Sequence, residues 1–486
     1  MPETLPVTVP RNEPELSPRR IRFNAFDMNC VGHQSPGLWR HPEDRSSDYN
    51  TIGYWTHLAQ VAERGRFDGL FIADVLGTYD VYGGSNEATL TAGTQVPVND
   101  PMLLVSAMAA VTEHLGFGIT AGTAYEHPYP FARRLATLDH LTGGRVGWNV
   151  VTGYLPSAAR NMGRQDQLAH DERYDHADEY LEVVYKLLEG SWDEDAVVRD
   201  RDGCVYTDPA RVHEIGHQGT YFSVPGIALT EPSPQRTPVV YQAGTSPRGL
   251  AFAGQNAECA FVSAPSRDKL AQAVTRIRAA AVEAGRDAKD IRIFNLATVI
   301  TGPDEGAARA KHADYVRYVD HRGALALLSG WMGIDFSQYG LDDVIGQDVQ
   351  TNAVQSAVET FRSGGADASA DGEPWSIRRL AEWVGIGGFG PVFVGSGAQV
   401  ADQLQDWAEE TDVDGFNLAY AVSPGSFEDV VEHVVPELQA RGAYPAEYES
   451  GTLRHKLFGR GDRLAENHRG ASFRLAAAGT RDGGAL

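Results

Sequence analysis

The chain is poor in cysteine. It has three in 486 residues, Cys30, Cys204 and Cys259, widely spaced and without a CxxC pair. A disulfide framework is therefore not expected, and a reducing, cytoplasmic setting fits best. No apolar run reaches 18 residues, so no membrane span is expected. Positive charge is also scarce: 42 Lys+Arg stand against 65 Asp+Glu, a net charge of -23. Such an excess repels phosphate backbones and anionic bilayers, which argues against a nucleic-acid or membrane partner. The opening "MPETLPVTVPRNEPELSPRR" lacks the apolar stretch of a signal peptide, and residues 1–20 read as a flexible lead-in. No repeat of 20 to 50 residues is visible, which excludes a solenoid.

What the chain does have is alternation. Short apolar runs rich in β-formers occur at Ile21–Phe26, Phe67–Asp74, Leu115–Gly122, Arg145–Thr152, Pro238–Gly244, Glu258–Ala264, Ile291–Ile300 and Gly415–Val422. Several are apolar almost throughout, as parallel strands covered on both faces are. Helical patterns such as "YWTHLAQVAERGR", "DPMLLVSAMAAVTEHL", "YDHADEYLEVVYKLLEG" and "RDKLAQAVTRIRAAAVEAG" lie between them. Eight such units predict a (β/α)8 TIM barrel spanning residues 21–458. That fold needs about 250 residues, so large insertions are expected near 191–235 and 302–398. The second contains "RSGGADASADGEP", read as an exposed loop, and residues 459–486 read as a tail leading away from the barrel.

Two pattern matches mislead. "HEIGH" (His213 to His217) fits the zinc-peptidase letters, but that chemistry needs a helix to put both histidines on one face. Here glycines and prolines predict turns and short strands, so no metal site is assigned. "GIGGFG" (Gly385 to Gly390) matches a dinucleotide loop letter for letter. It follows a helix and precedes a strand, the reverse of the required order, and reads as a flexible loop.

A stronger signal is "YQAGTSPRG". The strand ends at Gly244, Ser246 stands at a helix N-cap, and Pro247 suits the first helical position. Free N–H groups there could cradle an anion, or the segment could be a plain capped turn. Other strand ends are polar too: Asp74, Thr120 and Thr123, Asn149 and Thr152. In a barrel such residues converge on one mouth, where catalysis resides. Cys30 and His33 follow the first strand. A lone cysteine commonly packs as a small hydrophobe, whereas His33 could exchange protons near neutral pH. Arg173 and Tyr174 stand near the start of an otherwise solvated acidic helix.

The stretches "NAFDMNCVGHQSPGLWRHP", "FDGLFIADV", "AYEHPYPFARRLATLDHLTGGRVGWNVVT", "HDERYDHADEYLEVVYKLLEGSWDEDAV", "EPSPQRTPVVYQAGTSPRG" and "DGFNLAYAVSPGSFEDVVEHVVPELQARG" together resemble the nitrilotriacetate/dibenzothiophene-sulfone monooxygenase group of the bacterial luciferase-like superfamily, nearest its long-chain alkane monooxygenase branch. The resemblance implies a barrel that binds reduced FMN (FMNH2) supplied by a separate NAD(P)H-dependent flavin reductase. It implies capture of O2 as a C4a-(hydro)peroxyflavin, with one oxygen inserted into substrate. The cofactor carries the hard chemistry while the protein orients it and excludes water. By motif, Asp74, Thr120, Asn149, Gly153, Tyr154 and Tyr174 fall at flavin positions, and Ala243, Gly244, Thr245 and Ser246 at the phosphate loop. Cys30, His33, Tyr79, Gln95, Asn149 and Arg173 fall at pocket positions, with Tyr154, His33 and Asn149 as the catalytic candidates.

Two departures weaken an alkane assignment. "NVVTGY" puts Tyr154 where that branch has a proposed catalytic histidine, and Leu327 aligns with a second pocket histidine. Tyrosine, with an ordinary pKa near 10, is a poor base at neutral pH but can donate a hydrogen bond. The expected substrate is thus an apolar or aromatic small molecule: a long-chain alkane, an aromatic sulfone or other heteroaromatic, or a halogenated aromatic. An F420-dependent oxidoreductase of the same fold is the alternative, and the resemblance implies a homodimer or homotetramer.

Overall fold

In the computed structural model, which describes residues 19–344 and 375–474, each of the eight apolar runs forms a strand. These are β1 (Arg22–Met28), β2 (Gly69–Ala73), β3 (Gly116–Gly122), β4 (Val146–Val151), β5 (Val239–Gln242), β6 (Cys259–Val262), β7 (Arg292–Gly302) and, after one further strand, β9 (Gly415–Ala419). All pair in parallel, each with its neighbour in this order, and β9 closes back on β1 with Arg22 opposite Gly415. The result is a closed eight-stranded barrel. The extra strand, β8 (Val392–Ser396), was not foreseen and lies outside the barrel. It pairs with the far half of β7, Thr298 to Gly302, whereas the pairing of β9 with β7 ends at Thr298.

The helices are α1 (Ile52–Arg64), α2 (Pro128–Thr142), α3 (His170–Gly190), α4 (Pro247–Asn256), α5 (Arg267–Glu283), α6 (His321–Met332), α7 (Ile377–Val384) and α8 (Gly397–Thr411); α6 and α7 pack on each other in a cluster of their own, and the others cover the outside of the barrel. Most begin on a side-chain cap: Thr51, Ser246, Ser266, Asp320, Ser376 and Ser396 each accept a backbone N–H of the first turn. Strand alternation sorts the side chains between shell and interior. Trp148 points outward, 4.7 Å from the Phe131 ring and 6.0 Å from the Tyr180 ring. Its neighbour Asn149 therefore points into the barrel.

One end of the barrel is plugged. A short helix, α9 (Leu453–Phe458), buries Leu453 and Leu457 among Phe26, Phe71, Tyr241 and Phe294. Arg22 and Arg292, at the starts of β1 and β7, donate to the last carbonyls of α9: Arg22 Nη2 to Lys456 O (3.1 Å) and Leu457 O (3.0 Å), and Arg292 Nε to Leu457 O (3.1 Å). Closure of the N-terminal end leaves the C-terminal mouth as the site for ligands.

Three expectations are corrected. "DPMLLVSAMAAVTEHL" is not one helix but a 3-10 turn, Met102–Leu104, followed by five helical residues, Val105–Ala109. Arg145 takes the carbonyls of Ala109, Thr112 and Leu115, and Glu63 takes the N–H groups of Glu113, His114 and Leu115, so neither set is free to continue a helix. The "GIGGFG" loop is buried rather than flexible. Gly387 and Gly388 have φ of 78° and 66°, and a Cβ on either would overlap Thr298 or Gln34. The residues after Gly459 fold back as far as Arg474. His468 donates to or accepts from its surroundings at both nitrogens, with Nε2 2.8 Å from Asn256 O, and Leu464 is buried. "HEIGH" forms a loop and a two-residue strand, His217–Gln218, with His213 beside Asp193 and His217 beside Glu179. The "RSGGADASADGEP" loop lies outside the described residues. Within the first insertion two short hairpins form, Val197–Asp200 with Val205–Thr207 and His217–Gln218 with Ser223–Val224.

Candidate active site

The predicted residues fall into three groups around the open mouth. The first lies at the ends of β1 to β4. Thr120 and Asn149 are register partners, and Asn149 Nδ2 donates to Thr120 Oγ1 at 2.9 Å. That leaves Asn149 Oδ1 buried without a protein partner, an acceptor aimed at whatever occupies the mouth. Asp74 follows β2. Burial, then the charge of Asp100, raises its carboxyl to about 7, against the N–H of Val75. Cys30 is buried in the wall, bridged to Val98, and burial pushes its thiol well up, so it is no nucleophile at neutral pH.

Asp74 carries a pH signature. Its raised pKa means that the fold favours the protonated form, so ionisation costs stability from the ordinary carboxylate range near 4 up to about 7. Asp74→Asn should therefore gain on the wild type as pH rises from 4 to 7, with the difference level above that. Thermal melts across this range check it, and a constant difference would contradict it.

The second group is a hydrogen-bonded chain. Gln95 Nε2 donates to His33 O at 2.7 Å, and Tyr79 Oη donates to Gln95 Oε1 at 2.9 Å. Tyr79 and Tyr154 meet hydroxyl to hydroxyl at 2.6 Å. A backbone carbonyl can only accept, which fixes the Gln95 amide and commits the Tyr79 proton to it. Tyr154 must then donate to Tyr79; the residue as a whole is 44% exposed although its hydroxyl is buried. Burial raises the Tyr154 hydroxyl to about 12, its contacts with Tyr79 and Trp331 opposing the shift, so it stays protonated. His33 is not the proton exchanger that the sequence suggests. Burial holds its imidazole down to about 3, neutral at working pH, with Nε2 3.2 Å from Gln34 Nε2. Leu327 is fully buried against Tyr79, Leu155 and Ala158. The second histidine position is thus an apolar wall here.

The third group lies at the end of β5. Ser246 Oγ caps α4 by accepting from Gly249 N at 3.0 Å and stands 3.2 Å from His170 Nε2. Tyr174 hydrogen-bonds Ser246 and Gln242. A Cβ on Gly244 would overlap the Gln242 amide and the Tyr174 hydroxyl, so glycine alone leaves this cradle open. Ala243 and Thr245 are exposed beside it, and Arg276 reaches the Thr245 carbonyl at 3.3 Å. Hydroxyls, an imidazole and a helix N-terminus on one loop suit a phosphate. With Asn149 Oδ1 free in the mouth, the residues present fit a flavin mononucleotide.

Two participants were missed from the sequence. His170 stands one turn before Tyr174, and Trp331 one turn after Leu327, spacings of four that put each pair on one helix face. Gly153 has φ of 72°, a left-handed turn that lets the chain leave β4 and present Tyr154. A separate cleft of about 680 Å³, lined by Glu43, Asp48, His57, Lys311, Glu428 and Asp429, holds none of the predicted residues. Among the described residues no helix is long and apolar enough to cross a membrane, and no group of three or more His, Cys, Asp or Glu could hold a metal ion.

Comparison with known proteins agrees with the barrel fold. Residues 29–415 match the model of a family described as luciferase-like monooxygenase. The chain is 52% identical to dimethyl-sulfide monooxygenase of Hyphomicrobium sulfonivorans over 95% of both chains. It is 48% identical to long-chain alkane monooxygenase of Geobacillus thermodenitrificans, covering 94% of this chain and 98% of that one. The crystal structure of DmoA from Hyphomicrobium sulfonivorans superposes with a TM-score of 0.89 over 94% of this chain and 96% of that chain. A riboflavin lyase solved with modified FMN and riboflavin, 36% identical, superposes at 0.84 over 94% of this chain and 100% of its own.

Proposed function

Because the chain belongs to the luciferase-like monooxygenases, we propose that it is the oxygenase of a two-component system, taking FMNH2 from a separate NAD(P)H-dependent flavin reductase and inserting one atom of O2 into a small, mainly apolar molecule. The observation that carries this reading is the glycine-walled cradle of Gly244, Ser246, His170 and Tyr174 at the same barrel mouth as Asn149 and Asp74. Reduced flavin, when bound, supplies the activation of O2. The chain supplies the rest. Ser246, His170 and the start of α4 would hold the phosphate, and Asn149 and Asp74 would contact the flavin ring. Leu155, Leu327 and Trp331 keep water from the reacting face. The names of the relatives point to an organic sulfide, an alkane or an aromatic sulfone as substrate class.

The test is a substrate screen with purified protein, a generic flavin reductase, NADH, FMN and isotopically labelled O2. Substrate-dependent incorporation of one labelled oxygen is expected. Hydride transfer with a reduced deazaflavin and no O2 uptake would instead favour the F420 alternative. Within the same assay Tyr154→Phe should keep flavin affinity within about twofold, because Tyr154 donates to Tyr79 rather than to the phosphate cradle. It should lower the ratio of product formed to O2 consumed about tenfold, in the range of a lost charge-directing hydrogen bond. Normal coupling would remove Tyr154 from the chemistry.

A further inference from the structure

Three buried hydrogen-bond donors without partners stand together beside the tyrosine chain. They are Arg164 Nη1, Gln167 Nε2 and Arg173 Nε. Tyr125 gathers them. The Arg164 guanidinium stacks over its ring at 5.1 Å, and its hydroxyl donates to Gln167 Oε1 at 2.9 Å, which turns the Gln167 nitrogen outward. Arg173 lies close enough for Tyr125 and Tyr174 to act on its charge, and burial leaves it easier to deprotonate than usual. Gln167 Nε2 comes within 3.3 Å of where a Cβ on Gly153 would be, next to Tyr154. Among the described residues neither arginine has a carboxylate partner. The pair makes one side-chain hydrogen bond among the described residues, from Arg164 Nη2 to Ala124 O at 2.9 Å.

Burying cationic donors unpaired is costly, and an anion returns that cost as charge-assisted hydrogen bonds. Resting on the oxygenase reading, we infer that Arg164, Gln167 and Arg173 form a receptor for an anionic head group, a carboxylate or sulfonate, on the substrate. Its apolar body then lies against Leu155, Leu327 and Tyr79. The substrate is thus amphiphilic rather than a plain hydrocarbon. The cradle of Ser246, His170 and Tyr174 is a neighbouring anion site: Tyr174 hydrogen-bonds Ser246, and Arg173, its chain neighbour, acts on both Tyr174 and the Tyr125 over which Arg164 stacks.

Octane-1-sulfonate and 1-octanol are the probes, titrated by calorimetry into the protein with and without FMN. The sulfonate is expected to bind about tenfold or more tightly than the alcohol. Arg164→Gln with Arg173→Gln should erase that preference while keeping FMN affinity. Gln167→Leu, which keeps both charges, should weaken the sulfonate about fivefold and the alcohol not at all. Equal affinity for the two probes in the wild type overturns the inference. So does a double variant that loses affinity for FMN but not for riboflavin, since the arginines would then serve the flavin phosphate. The calorimetry needs no oxygen chemistry. Selective sulfonate binding by a protein that incorporates no oxygen would sink the oxygenase reading and leave this receptor standing.

Discussion

Replacing Ser246 by aspartate is expected to weaken FMN binding by about a hundredfold to a thousandfold and to leave the protein folded. Aspartate caps a helix about as well as serine, so α4 keeps its first-turn bond to Gly249 N. What changes is charge. A carboxylate about 4 Å from the phosphate, at an effective dielectric of about 20, costs about 4 kcal/mol. Riboflavin, which lacks the phosphate, is the control. Its affinity should stay within about twofold. An equal loss for both ligands would mean that the loop has deformed, and unchanged FMN affinity would remove Ser246 from the cofactor site.

The largest stability effect should come from the far side of the barrel. Arg454, on α9, is 1% exposed and grips Glu258 with two bonds, Nε to Oε1 at 2.7 Å and Nη2 to Oε2 at 2.8 Å. It also donates to Thr237 O and Asp462 O, each at 2.8 Å. Burial alone would raise the Glu258 carboxyl, but Arg454 outweighs it and holds the carboxyl below its ordinary range. Arg454→Met should cost about 3 to 5 kcal/mol, because it leaves a buried carboxylate without its countercharge. The sign with pH is definite. In the wild type the depressed pKa contributes stability above the ordinary glutamate value near 4.3 and loses it as pH falls. In the variant burial acts unopposed and protonation relieves the strain, so the gap between the two should narrow toward pH 4. Denaturant unfolding at pH 7 and pH 4.5 measures it. A gap that is constant or widens as pH falls would mean that Arg454 acts by packing alone.

Which features were legible beforehand follows from the range of the forces involved. Eight parallel strands could be read because a strand buried on both faces must be apolar along its own length, and β1 is buried at all seven positions. The capped turn at Ser246 was legible for the same reason, since a cap, a first-turn proline and a glycine act within four residues. The misreadings have causes distant in the chain. "DPMLLVSAMAAVTEHL" has helical periodicity, but Arg145 and Glu63, distant in the chain, claim its backbone groups. "GIGGFG" has the composition of a mobile loop, yet its glycines let Gln34 and Thr298 approach closely.

The amino-acid order by itself determined the barrel, the mouth at which polar strand ends gather, and the family. Tertiary structure alone decided the chemistry of individual groups. It made His33 a neutral hydrogen-bonding residue, directed the Tyr154 proton toward Tyr79, brought His170 to Ser246, and left three donors unpaired around Tyr125. The reason is physical. Periodicity and capping are settled among neighbours in the chain, whereas a pKa or the direction of a hydrogen bond depends on burial and on partners tens to hundreds of residues away.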